Sequence, residues 1–380
     1  MIIPFNKVYI SKNEEKYLID ALNSGRHSGN NNYCKKVIKL MKSKHNFNEV
    51  FLTPSCTSAL EMGAILSNVE KGDEVILPSY TFSSTVNAVI NFGAKPVFCE
   101  IDPKTMNIDS LKIESLITEK TKMIIPIDYA GVSCEIDNIM TIATKNKITV
   151  MQDCAQSYSS YINNKACGTQ ADLSTFSFHQ TKNYNAGGEG GALVVNNKSL
   201  VERAHFLQEK GTDRSKVLHG LKTKYHWVDK GSSYLLSDLL ASVLLSQLEQ
   251  EEEIKKMRSN ITHHYNKLFN TLKSYPISTQ YFPKNCNVNH HAYWVIFDSI
   301  GNKELFLKRL IEKGIYAYIG YTPLHSAPMG QKFGYKSEDL PITQDYGNRI
   351  VRLPFYNELQ NEFMEYCCDS IKKVIKSIYE

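Results

Sequence analysis

The 380-residue sequence contains no apolar run of the about 18 residues that a membrane span requires. Its first residues, MIIPFNKVYISK, include neither the apolar stretch nor the cleavage site of a signal peptide. Its nine cysteines are an odd number and form no C-x-x-C pair, which favours free thiols. These absences exclude the membrane classes and predict a cytoplasmic protein.

The sequence also lacks long blocks of like charge. Its 44 Lys and Arg and 39 Asp and Glu give a net charge of +5, spread along the chain. The densest acidic run, at 249–253, indicates a solvated helix face. This pattern predicts no nucleic-acid partner, and 42% hydrophobic with 22% charged residues is ordinary for a folded globular protein.

Short apolar runs alternate with amphipathic helical patterns from residue 50 to about 210. The runs are β-branched or aromatic and nearly continuous, as expected for strands covered on both faces. The alternation predicts βαβ units and a mainly parallel sheet, hence an α/β fold. The predicted strands lie at 50–54, 74–78, 95–101, 122–127, 148–154, 173–179 and 191–196.

A helical pattern at 237–272 follows this block, and we place a domain boundary inside it, near residue 250. Residues 1–250 are expected to form a large domain that includes an N-terminal helix before the strands. Residues 251–380 are expected to form a smaller α/β domain, with strands at 292–297 and 315–321 and helices at 303–314 and 361–378. No internal repeat is present.

The segment FHQTKNYNAGGEGGALVV (178–195) is the most unusual part of the sequence. Lys182 follows a predicted strand and precedes a glycine cluster, which allows tight turns and close approach to a ligand. No G-K-[ST] ending follows, so the segment is not a P-loop. Taken alone, Lys182 is best interpreted as a surface lysine in a turn.

Asp153 and Thr57–Ser58 stand where strands end and helical patterns begin. Alone, each is explained by helix capping, although ligands of parallel sheets also bind at such edges. A helix start with free N–H groups can hold a phosphate. Together with Lys182 they satisfy the three needs of pyridoxal phosphate: a phosphate site, an acid for the ring nitrogen and a lysine for the aldehyde.

The sequence resembles the nucleotide-sugar aminotransferases of the DegT/DnrJ/EryC1/StrS family through nearly its whole length. The motifs include LTPSCTSALEM (52–62), FSFHQTKNYNAGGEGGA (176–192) and RLPFYN (352–357). The resemblance implies a type I aminotransferase fold that binds pyridoxal phosphate. SCTSALEM and GSSYLLSD favour the branch that makes TDP-4-amino-4,6-dideoxygalactose from TDP-4-keto-6-deoxyglucose.

The resemblance assigns roles to several residues. Lys182 is the lysine that binds the cofactor and moves a proton between it and the sugar carbon, and Asp153 pairs with the pyridine nitrogen. For Phe82 the alternative to a cofactor contact is an aromatic side chain in the core. For Ser177 the alternative is a polar side chain whose hydrogen bonds are made within the protein. The other implied contacts are Gln156 at the ring or its 3-hydroxyl, Phe82 stacked on the ring, and Cys56, Thr57 and Ser177 at the phosphate.

The chain departs from the family pattern at several positions. Gln152 stands where many relatives have Glu, and Asp128 stands where many have His. Ser233 replaces an Asn that reaches the phosphate from the neighbouring subunit in relatives, so Ser233 is a cofactor-contact candidate there. Leu235 replaces an Arg, and Gly320 replaces a His that precedes Tyr321.

Substrate residues are suggested by position. Tyr321 and His325 resemble positions near the sugar nucleotide, and a structural histidine is an equal alternative for His325. Arg214 and Lys222 suit diphosphate contacts, with a solvated loop as the alternative, and Arg26 with His27 lies in a loop expected to border the partner's site. The pair His263–His264 diverges on a helix, so no metal site is predicted there.

The resemblance implies a transaminase that takes glutamate as amino donor and a TDP-keto sugar as acceptor. It also implies a homodimer that acts in surface-polysaccharide synthesis, such as that of O-antigen or enterobacterial common antigen. The 4-amino-4,6-dideoxyglucose epimer and other keto sugars remain open. A dehydratase of the same fold would have His in place of Lys182. A non-catalytic binding protein would be expected to have lost Lys182 or Asp153.

Overall fold

The computed structural model describes residues 1–218 and 220–380. A seven-stranded sheet forms the centre of the N-terminal part, accompanied by a four-stranded and a three-stranded sheet. The large sheet consists of β1 (Glu49–Thr53), β2 (Glu74–Pro78), β3 (Lys95–Cys99), β4 (Thr121–Ile124), β5 (Thr149–Asp153), β8 (Leu173–Ser177) and β9 (Gly191–Val195). The three-stranded sheet contains β6 (Tyr161–Ile162), β7 (Lys165–Ala166) and β11 (Cys286–Asn287), and the four-stranded sheet contains β10 (Ser278–Thr279), β12 (Trp294–Ile296), β13 (Tyr318–Ile319) and β14 (Ile350–Arg352).

The large sheet has the strand order β1-β9-β8-β5-β4-β2-β3. Only β9 runs antiparallel to its neighbours, and the pairs from β8 to β3 are parallel. The predicted mainly parallel sheet is therefore confirmed. Because parallel strands share one carboxyl edge, the residues that follow β5 and β8 meet on the same side of the molecule.

Helices cover both faces of the large sheet and complete the C-terminal part. The helices are α1 (Glu14–Asn23), α2 (Asn32–His45), α3 (Cys56–Leu66), α4 (Ser83–Ile90), α5 (Ser110–Ile113), α6 (Ile136–Asn146), α7 (Val201–Gln208), α8 (Arg214–Leu218), α9 (Asp238–Glu249), α10 (Glu251–Asn270), α11 (Ile300–Glu312), α12 (Pro328–Lys332), α13 (Pro341–Arg349) and α14 (Asn361–Tyr379). Alternate residues of each strand point to opposite faces of the sheet. Phe51 and Leu193 accordingly join an apolar cluster with α3 and α4, whereas Val50 and Val194 join one with α2 and α9.

The C-terminal part packs α10, α11 and α14 against the four-stranded sheet. The helical pattern at 237–272 is two helices, because α9 ends at Glu249 and α10 begins at Glu251. The predicted strand at 315–321 is shorter than expected: only Tyr318–Ile319 pairs with β14, and Ile315 forms a parallel bridge with Ile3. The N-terminal residues therefore pack on the C-terminal part.

Within residues 1–218 and 220–380, no helix combines the length and apolar character needed to cross a bilayer. All nine cysteines are free thiols.

Candidate active site

A cavity of about 420 Å³ lies at the carboxyl edge of the large sheet, between the start of α3 and the C-terminal part. The position agrees with the rule that ligands of open α/β sheets bind beyond the carboxyl ends of strands. It brings together eight residues singled out in the sequence: Cys56, Thr57, Phe82, Asp153, Gln156, Ser177, Lys182 and Tyr321.

Asp153 ends β5 and is buried at the base of the cavity. Its Oδ1 accepts a hydrogen bond from the amide of Ala155 at 3.1 Å, so it caps the turn that follows the strand. Its Oδ2 accepts one from Thr85 Oγ1 at 2.9 Å. Burial raises the pKa of this carboxyl, although both hydrogen bonds and the charge of Lys182 oppose the shift. Each oxygen retains a lone pair for an N–H donor in the cavity.

Lys182 lies half-buried in the turn after β8. Its amide donates to the carbonyl of His179 at 2.9 Å, and the amide of Gln180 donates to the carbonyl of Gly188 at 2.8 Å, which closes the loop. Burial lowers the pKa of the Lys182 ammonium, and the charge of Asp153 opposes this shift. A lowered pKa increases the neutral, nucleophilic fraction of a lysine. The surface-lysine interpretation does not fit this environment.

The first turn of α3 presents donors to the cavity. Ser55 caps the helix by accepting a hydrogen bond from the amide of Ser58 at 3.1 Å. Among the described residues, none accepts a hydrogen bond from the amides of Cys56 and Thr57. Free amides at a helix N-terminus suit a phosphate. Thr57 Oγ1 donates to Ser84 Oγ at 2.9 Å, which brings the first turn of α4 to the same wall.

Gly191 allows β9 to approach this helix start. It pairs with Thr53 in β1 and with Ser177 in β8. A Cβ at this position would lie 2.4 Å from the carbonyl carbon of Ser55 and 2.5 Å from the nitrogen of Cys56. Because both contacts are backbone atoms, only glycine fits without displacing the start of α3.

Gln156 joins two segments of the cavity wall. Its Oε1 accepts a hydrogen bond from the amide of Ala130 at 2.7 Å, and its Nε2 donates to Tyr321 Oη at 2.8 Å. Burial raises the pKa of Tyr321 to about 12. Phe82 is 58% exposed and lies 6.1 Å, between ring centroids, from Tyr321. Phe82 is therefore at the cavity surface and is not a core aromatic.

Six candidates lie outside this cavity. Lys222 Nζ lies 2.6 Å from a carboxylate oxygen of Asp213, and His27 Nε2 lies 2.9 Å from the carbonyl of Leu22. Ser233 is exposed and bridges to Glu209, Arg214 Nη1 lies 3.7 Å from a carboxylate oxygen of Glu209, and Arg26 is exposed. His325 is fully buried: its Nδ1 and backbone amide bond Ser79 Oγ, and its Nε2 bonds the carbonyl of Ser337. Both ring nitrogens being occupied, the geometry favours the structural alternative for His325.

Three cavity residues were missed in the sequence. Thr85 stands in a hydroxyl-rich helix start (TFSST), which was the available signal for its contact with Asp153. Arg352 belongs to the RLPFYN motif, and its guanidinium lies 5.3 Å from the ring centre of Phe5. Its Nε is buried without a hydrogen-bond partner among the described residues. An unsatisfied cationic donor in a cavity wall is suited to an anionic ligand.

His291 is the third missed residue, and nothing in its sequence context marks it. Its Nδ1 lies 2.9 Å from Asn183 Oδ1, and Asn183 Nδ2 donates to the carbonyl of Asn289 at 2.8 Å. These partners place the proton on Nδ1 and leave Nε2 as an acceptor. Burial, followed by the charges of Lys182 and Arg352, holds the pKa of His291 well below its usual value.

Two departures from the family pattern meet in the structure. Gln152 Nε2 donates to both carboxylate oxygens of Asp128, at 3.1 and 3.0 Å.

Gly320, another departure, faces the hydroxyl of Tyr80, which accepts a hydrogen bond from the amide of Tyr321 at 3.1 Å. A side chain at 320 would occupy the position of that hydroxyl.

These groups match the requirements of pyridoxal phosphate. The free amides at the start of α3 can hold its phosphate, the lone pairs of Asp153 can accept its ring N–H, and Lys182 can bind its aldehyde. Within the described ranges, no cluster of His, Cys, Asp and Glu has the arrangement of a metal site.

Comparisons with known proteins agree with this assignment. The model of the DegT/DnrJ/EryC1/StrS aminotransferase family matches residues 8–372. GDP-perosamine synthase of Escherichia coli O157:H7 is 29% identical, covering 98% of this chain and 98% of its own. The dTDP-4-dehydro-2,3,6-trideoxy-D-glucose 4-aminotransferase of Saccharopolyspora spinosa is 28% identical, covering 86% and 84%.

A solved structure gives the same fold. Helicobacter pylori PseC, an aminotransferase involved in the biosynthesis of pseudoaminic acid, superposes with a TM-score of 0.89 at 25% identity, over 99% of this chain and 100% of that one. The expected type I aminotransferase fold is confirmed. The chain belongs to the DegT/DnrJ/EryC1/StrS aminotransferase family and is a sugar aminotransferase that depends on pyridoxal phosphate.

Proposed function

We propose that the enzyme transfers the amino group of glutamate to C4 of TDP-4-keto-6-deoxyglucose and forms TDP-4-amino-4,6-dideoxygalactose for a surface polysaccharide. The observation that carries the proposal is the single cavity that holds both Lys182 and Asp153. A relative whose name describes a 4-aminotransferase of a dTDP-linked keto sugar supports the position and the base. The similarity to a GDP-perosamine synthase makes a GDP-linked sugar the competing substrate.

In this proposal the chain's own residues bind the cofactor and move the proton. Asp153 holds the ring nitrogen, the amides of Cys56 and Thr57 with Ser177 hold the phosphate, and Phe82 and Gln156 contact the ring. When bound, pyridoxal phosphate supplies an electron sink for the carbon beside the transferred nitrogen. Lys182 Nζ takes the proton from the donor carbon and returns one to C4 of the sugar, which its lowered pKa favours near neutral pH.

Arg352 is proposed to bind a carboxylate of glutamate. Its buried Nε has no protein partner in the described residues, and the guanidinium faces the same cavity as Lys182. Arg binds carboxylates with paired hydrogen bonds that Lys does not reproduce. R352K should therefore raise the KM for glutamate more than the KM for the sugar. Equal changes in both KM values would contradict this role.

We also propose that the enzyme is a cytoplasmic homodimer in which Ser233 and Arg26 face the partner's site, and that Arg214 contacts the diphosphate of the substrate. In support, Leu218, Leu221 and Tyr225 are exposed, and Trp227 is 82% exposed. Contiguous exposed apolar surface commonly marks an interface. Sedimentation analysis should give twice the monomer mass of 43.2 kDa. A monomer with full activity would remove the proposed role of Ser233.

The test is one reaction with pyridoxal phosphate, glutamate and TDP-4-keto-6-deoxyglucose, followed by NMR of the product. An axial amine at C4 supports the galacto product, and an equatorial amine replaces it by the gluco epimer. A GDP-linked 4-keto-6-deoxy sugar is assayed in parallel to decide the base. K182A is the control and should abolish turnover. Loss of a sugar hydroxyl without amination would instead indicate a dehydratase. A yellow protein that forms no amine would indicate another keto sugar as the substrate, and a protein that does not turn yellow with the cofactor would indicate a binding protein.

A further inference from the structure

Asp128 is a fully buried carboxylate beneath the cavity, and it is not one of its lining residues. It follows β4, and its amide donates to the carbonyl of Asp153 at 3.1 Å, while the amide of Asp153 donates to the carbonyl of Pro126 at 2.9 Å. The two aspartates therefore lie on adjacent chain segments joined by backbone hydrogen bonds.

Every hydrogen-bond partner of the Asp128 carboxylate donates to it. These donors are the amide of Cys134 at 2.9 Å, Gln152 Nε2 at 3.1 and 3.0 Å, Ser157 Oγ at 2.7 Å and Cys154 Sγ at 3.5 Å. The amide of Gly168 donates to Gln152 Oε1 at 3.2 Å, which orients the Gln152 side chain with its NH₂ toward Asp128. Burial raises the pKa of the Asp128 carboxyl, whereas the hydrogen bonds from Cys134, Ser157 and Gln152 oppose that shift and favour the ionised form.

No cation faces this carboxylate in the described part of the chain. The other titratable groups near Asp128 are Asp153 and the thiols of Cys134, Cys154, Cys167 and Cys286. Burial raises the pKa of all four thiols, and the charge of Asp128 raises it further, so they stay neutral. The field of Asp128 is therefore uncompensated and is felt at Asp153.

We propose that Asp128 is a positioning residue whose buried negative charge acts with Asp153 to keep the proton on the pyridine nitrogen, and to hold a proton on the Lys182 nitrogen, in the cofactor-loaded enzyme. Asp153 is buried, and its hydrogen-bond donors, Thr85 Oγ1 and the amide of Ala155, are both uncharged. A second fixed charge behind it strengthens the electron-withdrawing state of the ring, whichever sugar is the substrate.

The pairing of Asp128 with Gln152 permits a charge-relocation test. D128N removes the charge but sets two amide NH₂ groups against each other. D128N/Q152M is also neutral and avoids that conflict. D128N/Q152E moves the carboxylate to the other end of the same hydrogen bond, where the amide of Gly168 still has an acceptor. S157A is the matched control, because it removes one donor to Asp128 but keeps the carboxyl group and its donors Cys134, Gln152 and Cys154.

The readout is the pH midpoint of the colour change of the bound cofactor, followed by visible absorbance, which reports the proton on the Lys182 nitrogen. At an effective dielectric constant of about 20, a unit charge shifts a pKa by about two units from roughly 6 Å and by about one unit from roughly 12 Å. The midpoint should fall by that amount in D128N or D128N/Q152M, return to the wild-type value in D128N/Q152E, and stay unchanged in S157A.

Two outcomes overturn the proposal. A wild-type midpoint in either folded neutral variant would mean that Asp128 only holds the loops together. A midpoint in D128N/Q152E as low as in D128N/Q152M would show that the position of the carboxylate, and not its charge, is what matters. Neither outcome bears on the sugar substrate, so the proposed function is tested separately.

Discussion

Gly191→Ala tests whether the close approach of β9 to α3 builds the phosphate site. The added Cβ would lie 2.4 Å from the carbonyl carbon of Ser55, and an ordinary van der Waals contact begins at 3.4 Å. The helix start must therefore move by 3.4 − 2.4 = 1.0 Å, unless β9 moves instead. Overpacking of this kind costs about 1–3 kcal/mol in the free energy of unfolding.

The same displacement should weaken phosphate binding. Hydrogen bonds lose most of their strength when they lengthen by about 1 Å, and one bond to a charged group contributes about 1.5–3 kcal/mol. We therefore expect G191A to bind the cofactor roughly ten- to a hundredfold more weakly. Pyridoxamine phosphate should be the titrant, because it lacks the aldehyde and reports binding without the bond to Lys182.

Gly301→Ala is the matched control for this experiment. Gly301 lies in the first turn of α11, and no atom lies within 4 Å of the position that a Cβ would take there. Alanine in a helix is favoured over glycine by up to about 1 kcal/mol, so G301A should be neutral or stabilising and bind normally. If G191A binds pyridoxamine phosphate as tightly as G301A, the argument that glycine builds this site is refuted.

Three other features of the site can be tested by substitution. T85V removes the donor to Asp153 Oδ2 and should lower kcat about tenfold, whereas T85S keeps a hydroxyl donor and should retain the wild-type kcat. Equal kcat values for T85V and T85S would contradict a role for this hydrogen bond. G320A should reduce kcat/KM, because its Cβ would lie 1.9 Å from Tyr80 Oη, and Y80F should partly rescue it. The pKa of His291 is well below 6.5 in the folded protein, so only the unfolded chain binds a proton at this residue as the pH falls below about 6.5. The free energy of unfolding should therefore drop by about 1.4 kcal/mol per pH unit from this group. Denaturation of H291Q should show a shallower dependence of the free energy of unfolding on pH.

Much of the large sheet could be predicted because its signals are local. Continuous apolar runs separated by amphipathic helices follow from burial on both faces, and the seven predicted strands match the seven found within a few residues. The predicted strand at 315–321 failed in part because its pairing partners, Ile3 and β14, are far away in sequence. No local pattern records such a partner.

The same distinction applies to the candidate site. Lys182 and Asp153 stand at strand ends, and strand ends are visible in the sequence, so both could be named before the structure. Only the tertiary structure placed Thr85 on Asp153, 68 residues away, and Arg352 in the same cavity. It also showed that Asp128 and Gln152 are partners, since adjacent segments of a parallel sheet come from distant parts of the chain. The sequence by itself determined which chemical groups are present and on which elements, whereas strand order and packing decided which of them meet.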